Sequence, residues 1–187
     1  ISFILGHETI DFIIYQDHMK RSTLYFQVVI ITCLCFSNSA SSENLVLNPG
    51  FENSGSEPTH WVLTGPVASM LPLISFDHLH SFNGVSSLKM ESNNINGHGR
   101  AVQIVKVNGG LTYSFSARFM TKEVASIDKS VMIRIKWLKG DENIGYHYIV
   151  DIEDESKGWS LASDKIKALP GATAAEISLE FRWSTGT

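Results

Sequence analysis

Apolar and polar positions alternate along much of this chain with a period of two. Tyr113, Phe115, Ala117 and Phe119 alternate with Ser114, Ser116 and Arg118. Val131, Ile133, Ile135 and Trp137 alternate with Met132, Arg134 and Lys136, and Ala175, Ile177, Leu179, Phe181 and Trp183 with Glu176, Ser178, Glu180 and Arg182. A period of two places one set of side chains on each face of a half-buried strand. Weaker runs predict further strands at 60–63, 67–76, 87–91, 101–107, 144–152 and 159–166. Pro72 interrupts the second of these and marks it as an edge or bulged strand. Asn44-Leu45-Val46-Leu47 predicts an opening strand, stopped by Asn48-Pro49-Gly50: proline fixes φ and lacks an N–H, and glycine tolerates positive φ. Phe51 is expected to turn inward as a plug, leaving Glu52 beside it with two hard oxygens. No amphipathic helix pattern appears. About ten strands separated by short turns predict an all-β fold, a two-sheet antiparallel β-sandwich formed by residues 41–187.

Ahead of Ser41 the pattern changes. Met19-Lys20-Arg21 is a start followed by positive charge, residues 24–36 are apolar but too few to span a bilayer, and Ser37-Asn38-Ser39-Ala40 has the small residues of a cleavage site. Residues 19–40 therefore read as a signal peptide and the protein as secreted. The alternatives are an N-terminal anchor helix and a lipid-anchored Cys33 or Cys35, although the residues before each cysteine fit a lipobox poorly. Residues 1–18 carry no domain pattern and are expected to be upstream, non-domain sequence. Both cysteines lie in the apolar segment. The mature part is thus expected to rely on packing, without a disulfide.

Composition narrows the partners. The 187 residues are 43% hydrophobic and 18% charged, with a formal net charge of −4. Those values suit a globular domain. The acidic balance argues against nucleic acid, which needs clustered Lys and Arg. No run of ~20 apolar residues is present, so no membrane contact is expected once the leader is cleaved. The domain is expected to be a monomer.

Outward positions on the alternating strands include Gln103, Ser116, Arg118, Arg134, Lys136, Glu180 and Arg182. Such a polar row can line a shallow groove. Sugars have apolar faces rimmed by hydroxyls, so a site for them needs an aromatic plate and flat hydrogen-bonding groups. Tyr146 and Tyr148 share a face and are the expected plates. The expected ligand-binding set is Gln103, Arg118, Arg134, Tyr146, Tyr148, Glu180 and Arg182. The plainer alternatives are core packing for the tyrosines and, for Arg134 and Arg182, a solvated face or a cross-strand pair with Glu180. Trp61, Trp137 and Trp183 are expected in the core, and Trp159 is expected to be the most exposed tryptophan. His78-Leu79-His80 has the spacing that puts two rings on one strand face, but a solvated loop suits it better than a metal site. Asp151, Glu153, Asp154 and Glu155 precede Lys157-Gly158. Glycoside hydrolysis needs two acids facing across a cleft with pKa values split by their surroundings, and a solvated turn splits nothing. No nucleophile elbow, phosphate loop or zinc motif is present, so no catalytic residue is expected in this domain.

Four stretches carry a family resemblance. They are Asn44 to Glu52; Phe82-Asn83-Gly84-Val85-Ser86-Ser87-Leu88-Lys89-Met90; Gln103 to Phe115; and Leu169-Pro170-Gly171-Ala172-Thr173 through Phe181-Arg182-Trp183-Ser184-Thr185-Gly186-Thr187. Taken in this order they resemble the carbohydrate-binding modules of families 4, 9 and 22, which are galactose-binding-like jelly rolls. The resemblance implies a non-catalytic module that binds a polysaccharide such as xylan or β-glucan and targets an attached glycoside hydrolase or similar enzyme to it. It also implies a structural Ca²⁺ with Glu52 as a ligand, helped by turn carbonyls near Asn48 and Ser86; the alternative for Glu52 is a carboxylate capping the turn. A closing strand that carries the partner aspartate is implied beyond Thr187, so the sandwich is expected to lack its last strand. Fold alone does not set function. A protein-interaction or adhesion sandwich without sugar binding is the competing expectation, and an enzyme with its active site in this domain a third.

Overall fold

The computed structural model describes residues 22–27, 32–33, 43–53, 55, 57–93, 96–124 and 126–183, the first two stretches as backbone alone. The upstream segment 1–18, most of the expected leader with its cleavage site, and Ser184 to Thr187 lie outside the described residues. The strands in chain order are β1 (Ser22–Gln27), β2 (Thr32–Cys33), β3 (Val62–Thr64), β4 (Leu73–Asp77), β5 (Ser87–Ser92), β6 (His98–Lys106), β7 (Thr112–Lys122), β8 (Val131–Lys139), β9 (Glu142–Ile149), β10 (Ile152–Asp154), β11 (Trp159–Lys167) and β12 (Ala174–Arg182). Helical structure among the described residues is one turn, α1 (Ile127–Ser130), and two 3₁₀ turns.

The protein is an all-β sandwich of two antiparallel sheets. One runs β10-β11-β7-β1-β5-β4, with β2 also pairing β7; the other runs β3-β6-β12-β8-β9. The inward sets of the alternating strands meet between them. Phe115 and Phe119 of β7, Ile133, Ile135 and Trp137 of β8, and Ile177, Leu179 and Phe181 of β12 are all buried in one cluster. Phe115 and Trp137 bridge the two sheets edge to face, with centroids 6.1 Å apart. Phe51 is fully buried and packs on Trp61 at 5.3 Å, so the expected plug is present.

Several local expectations are corrected. Residues 44–47 form an isolated bridge and bends rather than a regular strand. The segment is held instead by Gln103, whose side-chain amide accepts from Leu47 N at 2.7 Å and donates to Leu47 O at 2.9 Å. Trp183 is 53% exposed, not in the core. Its φ of +47° turns the backbone out of the strand just past Arg182, which breaks the parity of β12. Trp159, expected exposed, is 4% exposed. It stands on the outer side of β11, opposite Met120, and Phe82 covers it edge to face at 5.7 Å. The run 67–76 splits into a 3₁₀ turn at Ala68–Met70 and β4, with Pro72 between them.

Part of the expected leader is a strand in this structure. β1 lies between β5 and β7, with Phe26 opposite Leu88 on one side and Phe119 on the other.

Candidate functional site

The outer face of the five-stranded sheet carries a groove of about 650 Å³. Strand register fixes its floor. Val62, Val102, Ser178, Arg134 and Tyr148 form one rung across all five strands. On one side of it Ile104, Glu176, Lys136 and Tyr146 form a second rung; on the other stand Thr64, Arg100, Glu180 and Met132. Tyr146 and Tyr148, two residues apart on β9, project from the same face. They are 49% and 43% exposed and stack side by side, with centroids 6.5 Å apart and planes 22° apart. The Arg134 guanidinium lies 5.6 Å from the Tyr146 centroid and restrains that ring. The result is a platform of two half-exposed rings on β9, a polar and charged floor over β8, β12 and β6, and the half-apolar wall of His60, Val62 and Ile104 opposite.

The floor rests on a buried acid. Glu180 is 1% exposed and lies outward on the central strand β12. Arg134 Nη2 approaches its Oε1 at 2.8 Å, His98 Nε2 its Oε2 at 3.6 Å and Arg182 Nη1 its Oε2 at 4.0 Å. None of these is aligned as a hydrogen bond, so the interaction is coulombic. Arg134 also donates weakly to Ser178 Oγ at 3.5 Å, and Lys136 pairs with Glu176. Burial lowers the His98 pKa; Glu180 opposes the shift, and Arg182 and Arg100 add to it. The folded state therefore resists a proton that the unfolded chain takes up near pH ~6.5, and stability falls as pH drops below that value. Unfolding midpoints measured at about pH 7.5 and about pH 5.5 should show it: His98→Gln loses less stability across that interval than the parent protein.

Five of the seven expected ligand residues, Arg134, Tyr146, Tyr148, Glu180 and Arg182, come together on this face. Glu180 is beneath the surface, and Arg182 stands at the end of the row, 4.8 Å from the Trp183 ring. Gln103 borders the groove, but its side chain points inward to Leu47. Arg118 has the outward parity expected for it but belongs to the other sheet. There it makes a two-pronged pair with Glu155, 2.6 and 2.9 Å, and lies 4.3 Å from the Phe82 ring. Arg100, His60 and the apolar wall were not legible as site residues. Arg100 precedes the apolar run taken as its strand, and β6 is apolar on both faces, so its parity is ambiguous. No protein-family model matches the chain, and no curated protein matches it.

Glu52 acts on a different part of the sandwich. Its carboxylate accepts from Val85 N at 3.1 and 3.2 Å and from Ser86 N at 3.4 Å, which is the turn-capping alternative. Ca²⁺ needs six to eight oxygen ligands. Here the oxygens of Glu52 face amide hydrogens, and no group of three His, Cys, Asp or Glu is found among the described residues. In this arrangement Glu52 serves as a turn cap, and the ligand set that the resemblance implies is not assembled among the described residues. The same contact constrains Gly84, whose φ is +76° and where an added Cβ would sit 2.0 Å from Glu52 Oε1. Gly84→Ala is expected to lower unfolding free energy by ~2 kcal/mol in urea titration, through left-handed strain and the lost cap. A change within error would mean that Glu52 swings away freely.

The histidine pair and two of the four clustered acids have structural partners. His78 Nδ1 meets Val85 O at 3.1 Å, while His80 Nδ1 meets Asp77 Oδ2 at 2.9 Å, so the rings turn to different groups. Glu155 belongs to Arg118, and Asp154 accepts from Ser160 Oγ at 3.4 Å.

Proposed function

We propose that this chain is a non-catalytic carbohydrate-binding module, exported by a leader at 19–40, which holds an attached polysaccharide-active enzyme against its substrate. The observation that carries this reading is the pair of half-exposed, side-by-side tyrosine rings, Tyr146 lining a groove with a polar floor and Tyr148 stacked beside it. A pyranose presents an apolar face to such rings and hydroxyls to the arginine, lysine and glutamate groups beside them. Tethering raises the effective concentration of an enzyme at its substrate without any chemistry at the site. The acids on the floor suit binding rather than glycoside hydrolysis. Glu176 and Glu180 lie four residues apart on the outer face of one strand rather than facing each other across a cleft. Each is also matched to a cation.

Affinity electrophoresis through soluble xylan, mixed-linkage β-glucan and other glycans tests the reading. Retardation by at least one polymer supports it. Equal mobility with and without every glycan removes it. A protein-interaction role is favoured by one feature, the exposed Val62 and Ile104 on the groove's opposite wall. That reading predicts that a polar replacement of both leaves glycan retardation absent and abolishes partner capture.

A further inference from the structure

We propose that the groove selects polysaccharides bearing uronic-acid carboxylates, with Arg100 as the carboxylate receptor; the inference rests on the glycan-binding reading above. Arg100 stands on the outer face of β6, in register with Thr64 on β3 and Glu180 on β12, and it lines the groove. The other floor cations have partners: Arg134 with Glu180, Lys136 with Glu176, and Arg182 with Glu180 and the Met132 sulfur. Among the described residues Arg100 has no ion pair and no side-chain hydrogen bond; its Nε, like those of Arg134 and Arg182, is buried without an acceptor. A guanidinium that is partly desolvated and unpaired is unfavourable until a ligand supplies the missing oxygens. Its planar fork matches the two oxygens of a carboxylate, a geometry that a single hydroxyl cannot offer.

Charge points the same way. Arg100, Arg134 and Lys136 line the groove against one acid, Glu176, in a chain whose net charge is −4. Glu180 lies beneath and is already shared by Arg134, Arg182 and His98. An anion is therefore drawn to this face although the chain as a whole carries a net negative charge. Distance sets the size of the ligand. From β6 to β9 is three strand spacings, roughly 14 Å, so a ring stacked on Tyr148 and a carboxylate on Arg100 belong to different sugars of one chain.

The test uses a glucuronic-acid-substituted xylan and the same polymer after chemical reduction of its carboxyl groups. The parent protein should bind the carboxylated form about 10-fold more tightly, with the preference shrinking at high salt. Arg100→Gln should bring the ratio close to one. Arg100→Lys, which keeps the charge and loses the fork, should leave an intermediate ratio and serves if the glutamine variant does not fold. Equal binding of both polymers by the parent protein overturns the inference and leaves the glycan reading standing. A full preference retained by folded Arg100→Gln or Arg100→Lys overturns the assignment to Arg100. Binding of neither polymer, together with no retardation by any other glycan, sinks both.

Discussion

Replacing Tyr146 and Tyr148 together by alanine should weaken glycan binding about 100-fold, with each single replacement costing roughly 10-fold. The two rings form the apolar platform beside the groove; the exposed Trp183 ring stands at the far end of the row, against Arg182 and His98. The effect on folding should be small. Both rings are about half-exposed and lie on the edge strand β9, so their removal leaves no cavity in the core. Arg134 loses its ring contact but keeps Glu180. Titration calorimetry or affinity electrophoresis, run beside a thermal melt, separates the two quantities. An intact double variant that binds as tightly as the parent protein would move the site away from this face.

The largest stability effect is expected at Glu180. Glu180→Gln keeps the shape and removes the charge that Arg134 and Arg182 share beside His98. Breaking a buried ion pair from one side leaves its partners desolvated and unmatched, at a cost of ~3 kcal/mol. The comparison is Glu176→Gln on the same strand. Its partner Lys136 is 24% exposed along the side chain, so the expected loss is below about 1 kcal/mol. Urea unfolding of the two variants should therefore rank them clearly. Equal losses would mean that water reaches the floor and screens the cluster.

Much of the fold is legible in the chain because alternation reports directly on strand faces. The runs at 113–119, 131–137 and 175–181 predicted both the strands and the side that faces the core, and the tyrosines at 146 and 148 were placed on one face by the same rule. Alternation says nothing of which sheet a strand joins. Arg118 and Arg134 are indistinguishable by pattern, yet β7 and β8 lie in opposite sheets, so only one of the two reaches the groove. Gln103 misled for a different reason. A lone polar residue in an apolar run reads as outward, whereas its amide substitutes for ladder hydrogen bonds to an irregular segment that only the tertiary fold brings near. Trp183 followed the parity of its strand until one positive φ ended that strand. Trp159 is buried by a loop carrying Phe82, a contact between residues far apart in the chain.

The position of β1 has a consequence of its own. β5 and β7 are joined only through residues 22–27 among the described pairings, so this segment is the keystone of its sheet. Taking it out would leave a vacant berth one strand wide, with unmet amide and carbonyl groups along both banks. An extended peptide of suitable length could dock there by backbone pairing alone. Removal of residues 22–27 would oblige the sandwich to refill the berth with another strand.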